Sequence, residues 1–363
     1  MGNSMFSFIK KFFSKSKQTN MQKELFEQPD VILKLLKKYV SKDGKINIEL
    51  PENIKKVALI ASGSSYHSAT IAANYLRDNV HCYAQSYYAS EFSLVDNVDV
   101  DNQTLYVFIS QSGETADTNK SLDIVRVKTD KTLAITNTKN STLYNNSKYK
   151  VLLHAGVEKS IASTKAMCAQ IFCLFLIAVK TMQQREIPVS TLLEELYAIP
   201  ALIKKTYENK ENISSFAKKL SQYENAAVLA SGMFYPLAKE GALKIKETSY
   251  INTTAYPTGE FLHGHIAILN KKCAVISIVN NNNVDFTIRV LERIREEFSS
   301  DSLVISAFQL DLKKSGDAIC INSYKDVEFL FATLVVLQML AFETATCLGR
   351  DVDKPDGLTK VVK

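Results

Sequence analysis

Ser110-Gln111-Ser112-Gly113-Glu114-Thr115 gathers three hydroxyls and an amide at one point of the chain. An apolar run at residues 105–109 leads into it, and a helix-like stretch at 116–127 follows. A strand, a polar turn with Gly and a helix start make an anion site. Backbone N–H groups and the positive end of the helix dipole point into the turn. The chemistry implied is the cradling of a phosphate on a small metabolite. The turn holds no lysine and the nucleotide-hydrolysing P-loop pattern is absent, which argues against an NTPase. An ordinary Ser/Thr helix cap is the competing account, and the turn alone leaves both open.

A second group with chemical potential lies in residues 240–265. Residues 241–250 read as a helix, on which Lys244 shares a face with Glu247 and Thr248. Such a pair on a solvated surface would carry no function. Here Ala242, Leu243 and Ile245 keep it apolar company, and Tyr256-Pro257-Thr258-Gly259-Glu260 breaks the helix before His263-Gly264-His265. Beside a phosphosugar, a Glu and a His would serve as general base and ring-opening acid/base. Isomerising a sugar needs one group to carry a proton between C1 and C2 and another to open the ring. His263 and His265 also suggest a metal pair, but with no clear third ligand the signal is weak; neither metal nor cofactor is expected. The third group is the polar tail 351–360, which follows an apolar helix at 329–348. A frayed end is its ordinary fate. If the tail folds back, Lys360 brings an amine able to form a Schiff base with a ketose carbonyl.

The elements that must position these groups are regular. Residues 57–60 read as a buried strand ending in Ala61-Ser62-Gly63-Ser64-Ser65, with a helix at 66–76. Strands follow at 82–87, 105–109, 133–136 and 151–153, and a long apolar helix at 163–182. Strands alternating with helices predict an α/β fold with a parallel sheet covered on both faces. Ligands bind beyond the carboxyl ends of such strands, where Ser65 and Ser110 sit on successive strand-to-helix turns. The pattern then restarts: residues 226–235 echo 57–66 through a shared Ala-Ser-Gly and Tyr, at an offset of 169. The run 105–109 finds its echo at 274–278. This predicts two tandem three-layer α/β/α domains, at 50–190 and 205–345, joined by a helical segment rather than a loose linker. A basic tail at 1–20, a lead-in helix at 21–49 (strongest at 30–39) and a C-terminal active-site tail at 346–363 complete the plan. The second copy has Val279-Asn280-Asn281 where the first has Ser110-Gln111-Ser112, so one phosphate site per chain is expected.

The bulk numbers narrow the classes. The 363 residues suffice for two domains with full cores, and 46% apolar with 23% charged residues is ordinary for a globular protein. A net charge of +6 is too mild to argue for nucleic acid and suits an anionic substrate. Six cysteines without a C-x-x-C, mostly in apolar runs, indicate buried thiols in a reducing cytoplasm. No stretch of eighteen uncharged apolar residues occurs; the longest candidate, 171–179, is too short to span a bilayer. The tail mixes Lys10, Lys11, Lys15 and Lys17 with five apolar side chains. A frayed end is favoured over membrane or partner contact there.

Ser62-Gly63-Ser64-Ser65, the run from Ser110 to Thr118, Glu158-Lys159-Ser160-Ile161-Ala162-Ser163-Thr164-Lys165, Lys244-Ile245-Lys246-Glu247 and Asp351-Val352-Asp353-Lys354-Pro355 stand in order along the chain. Together they resemble the sugar-isomerase (SIS) family, in the arrangement of the isomerase half of the glucosamine-6-phosphate synthases. The resemblance implies that Ser110, Gln111, Ser112 and Thr115 bind phosphate and that Ser65 and Ser163 add sugar-phosphate contacts. It implies Glu247 as the proton-transfer base with Lys244 as its neighbour. His263 would be the ring-opening residue reaching in from another subunit, and Lys360 the Schiff-base lysine. A homodimer with shared active sites follows from that.

The glutaminase domain of the synthases, with its processed N-terminal Cys, has no counterpart before Met21, and His265 stands where the family usually has Pro. The expected activity is therefore interconversion of glucosamine 6-phosphate with fructose 6-phosphate and ammonia. Three alternatives compete. They are a fructosamine-6-phosphate deglycase, the isomerase subunit of a synthase fed by a separate glutaminase, and a non-catalytic sugar-phosphate sensor.

Overall fold

A computed structural model describes residues 18–95, 98–270, 272–298, 301–310 and 317–360. The basic segment 1–17 lies outside the described residues. Two parallel five-stranded sheets organise the chain, each covered by helices. The first contains β1 (Lys56–Ala61), β2 (Tyr83–Tyr88), β3 (Thr104–Ile109), β4 (Thr132–Thr136) and β5 (Tyr149–Leu152), ordered β2-β1-β3-β4-β5. The second contains β6 (Asn225–Ala230), β7 (Asn252–Pro257), β8 (Cys273–Val279), β9 (Ser302–Ser306) and β10 (Asp317–Cys320), in the equivalent order β7-β6-β8-β9-β10. The offset of 169 maps β1 onto β6 and β2 onto β7 residue for residue, and β3 onto the first six residues of β8. The repeat extends to backbone angles. Ser62 and Ser231 are extended at φ −127° and −130°, and the glycines after them, Gly63 and Gly232, are left-handed at +56° and +59°. That conformation costs a glycine little.

The first helix, α1, runs from Asn20 to Tyr39, ten residues earlier than the strongest sequence signal. Pro29 lies inside it and lacks the N–H that would bond the Leu25 carbonyl. Two other donors replace it: Gln28 Nε2 at 3.1 Å and the buried Tyr207 hydroxyl at 2.6 Å. The proline is accommodated because its orphaned carbonyl is satisfied twice. The helix also stops well short of residue 49. Val40 is extended and pairs with Ile46 across a turn containing Gly44.

The helices α2 (Gly63–Val80), α3 (Ala116–Arg126) and α4 (Lys165–Gln184) belong to the first repeat. The helices α5 (Ser190–Thr206) and α6 (Lys210–Leu220) form the joint. The helices α7 (Tyr235–Ser249), α8 (Val284–Phe298) and α9 (Asp326–Cys347) belong to the second. One apolar cluster runs continuously from Phe26 through Phe172 and Phe175 to Phe331 and Leu340. The two repeats therefore share a core, as a helical joint requires.

Two helices, α4 and α9, are long and apolar enough to cross a membrane by length and composition, with mean hydropathies of 1.6 and 1.7. Both exceed the short run anticipated from sequence. Each has 89% of its apolar window buried inside the protein, and the Phe172 and Phe175 rings of α4 lie 6.1 and 6.0 Å from Phe331 of α9. They are central helices of the shared core. Among the cysteines, Cys82, Cys168, Cys173 and Cys273 are buried, Cys320 is half-buried and Cys347 is exposed.

The other difference is β7. The sequence pattern ends a helix at residue 250 and places a helix-breaking turn at 256–260. The structure ends α7 at Ser249, turns the chain at Tyr250 with φ +63°, and lays Asn252–Pro257 along β6. β7 is an edge strand, partly exposed and without an apolar run, so its pattern is weak; a terminal proline is tolerated at an edge.

Candidate active site

In both sheets the strand order reverses beside the first strand, and in the first sheet the turns after β1 and β3 open there side by side. Parallel sheets bind ligands at such points. A cleft of about 310 Å3 lies between these turns. Its walls are Ser62–Ser65, Ser110–Ser112 with Thr115, Glu158 with Ser163, Lys244 with Glu247, and Leu358–Lys360. Ser65, Ser110, Gln111, Ser112, Thr115, Ser163, Lys244, Glu247 and Lys360 thus share one cavity. His263 does not join them. It is exposed, in the turn after the short helix Thr258–Phe261, with His265 beside it 4.6 Å from the Tyr256 ring.

The turn after β3 has the form of a cradle. Ser110 Oγ lies 2.9 Å from Thr115 Oγ1 and 3.4 Å from Ser112 Oγ, so three hydroxyls converge. The Gly113 N–H donates to Ser110 Oγ at 3.0 Å and the Glu114 N–H to Ser112 Oγ at 3.1 Å. Thr115 occupies the cap position of α3, yet its side chain caps nothing. The hydroxyl faces Ser110 instead, leaving the helix start without the side-chain acceptor that a capping Thr provides. The three hydroxyls therefore meet at a helix start that no side chain caps.

Gly113 makes the turn possible. Its φ is +71°, and a Cβ there would run into the Ser141 hydroxyl, with Ser141 Cβ at 2.6 Å and Thr136 Oγ1 at 2.9 Å. Gly113→Ala is expected to leave the fold intact by circular dichroism while weakening the binding of a small phosphate ester at least ~10-fold in calorimetry, through backbone strain of about 1–3 kcal/mol. Unchanged affinity would contradict the cradle.

Lys244 projects from α7 with its side chain only 1% exposed, and its ammonium pairs with Glu247, whose side chain is 22% exposed toward the cleft. The ammonium also lies 3.5 Å from Glu240 Oε1. Burial pulls the Lys244 amine downward, but the Glu240 and Glu247 carboxylates outweigh it and hold the amine above its ordinary value. Glu240 is fully buried and takes a 2.7 Å contact from His67 Nδ1 on α2. Burial pushes the Glu240 carboxyl upward; Lys244 and His67 outweigh that and hold it below the usual range. The chain His67–Glu240–Lys244–Glu247 thus crosses from the first repeat to the second and ends at the cleft.

Removing Glu240 leaves the buried Lys244 ammonium with Glu247 alone and takes away the partner of His67 Nδ1. Glu240→Ala should destabilise the protein by about 1–3 kcal/mol in urea unfolding. A midpoint equal to that of the wild type would show that the network is not needed for stability. The lowered Glu240 carboxyl also gives the pH direction. Its stabilisation is present above the unfolded-state pKa and is lost as acid titrates the folded carboxyl.

Glu158, Glu240 and His67 are the site residues that the sequence does not reveal as chemistry. Glu158 stands in a motif without a role of its own. The other two gain significance only from partners distant in sequence. The 351–355 motif acquires a structural role: Asp353 accepts the Asn20 and Met21 N–H groups, both at 2.8 Å, at the start of α1. Its carbonyl accepts the Ile161 N–H at 3.0 Å. This ties the tail over the first repeat and brings Lys360 to the cleft. Among the described residues, no cluster of three or more His, Cys, Asp or Glu is arranged to hold a metal ion.

The doubled parallel sheets and the serine-rich turn at the switch point define a class. The SIS-domain family model matches residues 52–180 and 219–347, and the chain belongs to that family. In particular, it is 33% identical over 346 residues to the isomerizing glutamine–fructose-6-phosphate aminotransferase of Aquifex aeolicus. That match takes in 94% of this chain and 57% of the relative, so the chain spans little more than half the length of that protein. The C-terminal domain of glucosamine-fructose-6-phosphate aminotransferase from Francisella tularensis superposes with a TM-score of 0.86 at 30% identity, covering 94% of this chain and 100% of that one. A glucosamine-6-phosphate deaminase from Thermotoga maritima shares the fold, with a TM-score of 0.76 at 20% identity over 95% of this chain and 99% of its own.

Proposed function

We propose that this protein is an amino-sugar-phosphate isomerase and deaminase, interconverting glucosamine 6-phosphate with fructose 6-phosphate and ammonia. The observation that carries the proposal is the single cleft in which the hydroxyl cradle faces the Lys244–Glu247 pair. The names of the relatives, an aminotransferase acting on fructose 6-phosphate and a glucosamine-6-phosphate deaminase, support the substrate class.

In this reading Ser110, Gln111, Ser112 and Thr115 hold the phosphate, and Ser65 and Ser163 add contacts to the bound sugar phosphate. The Ser65 hydroxyl is oriented by a 2.9 Å bond from Gln170 Nε2. Glu247 takes the C2 proton of the opened aldose and returns it at C1, giving the ketose imine. The Lys360 amine, freed of one proton, adds to C2 and displaces ammonia, giving a Lys360 imine of the ketose. Water then adds to C2 of that imine, releasing fructose 6-phosphate and the Lys360 amine, and the reverse direction retraces the same steps. Lys244 fixes the Glu247 carboxylate. Ring opening falls to His263 of a second copy, since the residue lies outside the cleft of its own chain.

The deciding assay incubates the purified protein with glucosamine 6-phosphate and follows ammonia and fructose 6-phosphate together. Equimolar release supports the proposal. Turnover of a fructosyl-amino-acid 6-phosphate with none of glucosamine 6-phosphate would replace it by the deglycase reading.

A further inference from the structure

We infer that Glu158 is a positioning residue that fixes the Lys360 amine and the Ser163 hydroxyl on one wall of the cleft, making the C-terminal tail part of the site. The catalytic half of this inference rests on the proposed function; the structural half does not.

An ionised carboxylate offers about four lone-pair sites, and donors approach Glu158 from four groups. On Oε1 the Thr164 N–H donates at 2.9 Å and the Ala166 N–H at 3.1 Å. These amides belong to the start of α4, the central helix of the first repeat, so that oxygen is held by rigid backbone. On Oε2 Ser163 Oγ donates at 3.2 Å and Lys360 Nζ at 2.8 Å. The Glu158 side chain is 0% exposed, so no water competes for these positions. Lys360 Nζ donates a second bond to the Ser160 carbonyl at 2.7 Å. Ser160 is itself pinned by a 2.6 Å bond from its hydroxyl to Glu24 of α1. An ammonium has three N–H groups, and two are now committed, leaving one for a substrate oxygen. The amine is therefore delivered in a fixed place and direction rather than on a free four-carbon arm.

Upstream the tail has its own anchors. Asp353 binds the start of α1, and the Asp356 N–H donates to the Tyr250 hydroxyl at 2.7 Å. Beyond residue 356, the described ties from the tail to the body of the protein are those of Lys360 to Glu158 and Ser160. Glu158 thus controls residues 357–360 and leaves 351–356 to other contacts.

The test compares the full chain with Glu158→Gln, Lys360→Met and the double variant. Glutamine keeps an acceptor for the helix amides and removes the charge that holds the amine. Backbone order parameters of the protein alone, from 15N relaxation, should fall at 357–360 in each single variant and stay unchanged at 351–356. With glucosamine 6-phosphate, Glu158→Gln should lower kcat about 10²-fold, the scale of a misplaced reacting group, while KM stays within about 3-fold. Lys360→Met removes the reacting amine and should lower kcat at least as far, and the double variant should lose no more than Lys360→Met alone, because Glu158 acts on kcat through Lys360. Should Glu158→Gln fail to fold, Lys360→Met decides, since it leaves the start of α4 untouched. Wild-type order at 357–360 in the variants, or a Glu158→Gln kcat equal to wild type, overturns the inference. If the wild type itself does not turn over glucosamine 6-phosphate, the proposed function fails, and the relaxation experiment still decides the role of Glu158.

Discussion

Glu247→Gln is expected to lower kcat for glucosamine 6-phosphate by about 10³-fold, within the range by which a positioned general base contributes. The substitution keeps size and hydrogen-bonding capacity and removes only the ability to carry a proton. Glu247 lines the cleft with 22% of its side chain exposed, whereas Lys244 behind it is buried. The amide can still accept from Lys244, so the helix and the cradle should be undisturbed. Fructose 6-phosphate affinity by calorimetry should stay within about 3-fold, because the proposed phosphate cradle is a turn from the other repeat. A variant that retains full turnover would remove Glu247 from proton transfer. One that loses affinity and turnover together would make it a binding residue instead. Lys244→Met is the control for the neighbour. It leaves two buried or half-buried carboxylates facing each other without a cation, so it should cost both stability and activity.

Much of this site is legible in the sequence because its parts are local. The cradle is six consecutive residues between a strand and a helix, and the Lys244–Glu247 pair is one helical turn. The duplication is legible because strands β1 and β3 repeat as β6 and β8 at one offset. What escapes depends on distance along the chain. His67 meets Glu240 across 173 residues, and Lys360 meets Glu158 across 202. No spacing rule links such pairs, since each bond exists only after two elements have packed. The start of α1 is obscured by Pro29, whose orphaned carbonyl is rescued by Tyr207, 182 residues away from Leu25. Strand β7 is hidden because an edge strand needs no apolar run. In each case a local rule gives way to a contact that the tertiary fold supplies.

Mixing two inactive variants should restore activity if each site draws on two chains. His263 is exposed and absent from the cleft of its own chain, although every other proposed site residue lines it. In a two-fold dimer a His263→Ala chain still supplies Glu247 to its own cleft, and a Glu247→Gln chain still supplies His263 to its neighbour. A heterodimer therefore has one intact site and one doubly broken site. Random reassembly of equal amounts makes half the dimers mixed, so about a quarter of wild-type activity should return, with each parent alone near zero. The same experiment with Glu247→Gln and a cradle variant such as Ser110→Ala, both in one chain's cleft, gives a different pattern. Each mixed dimer then holds one site broken at Glu247 and one broken at Ser110, so no fully intact site forms. Recovery in the first mixture and none in the second would place His263 in its partner's cleft. Absence of recovery in both, with subunit exchange verified by mass, would assign ring opening to a residue of the same chain, and His67 would be the first to examine because it already touches the network that ends at Glu247.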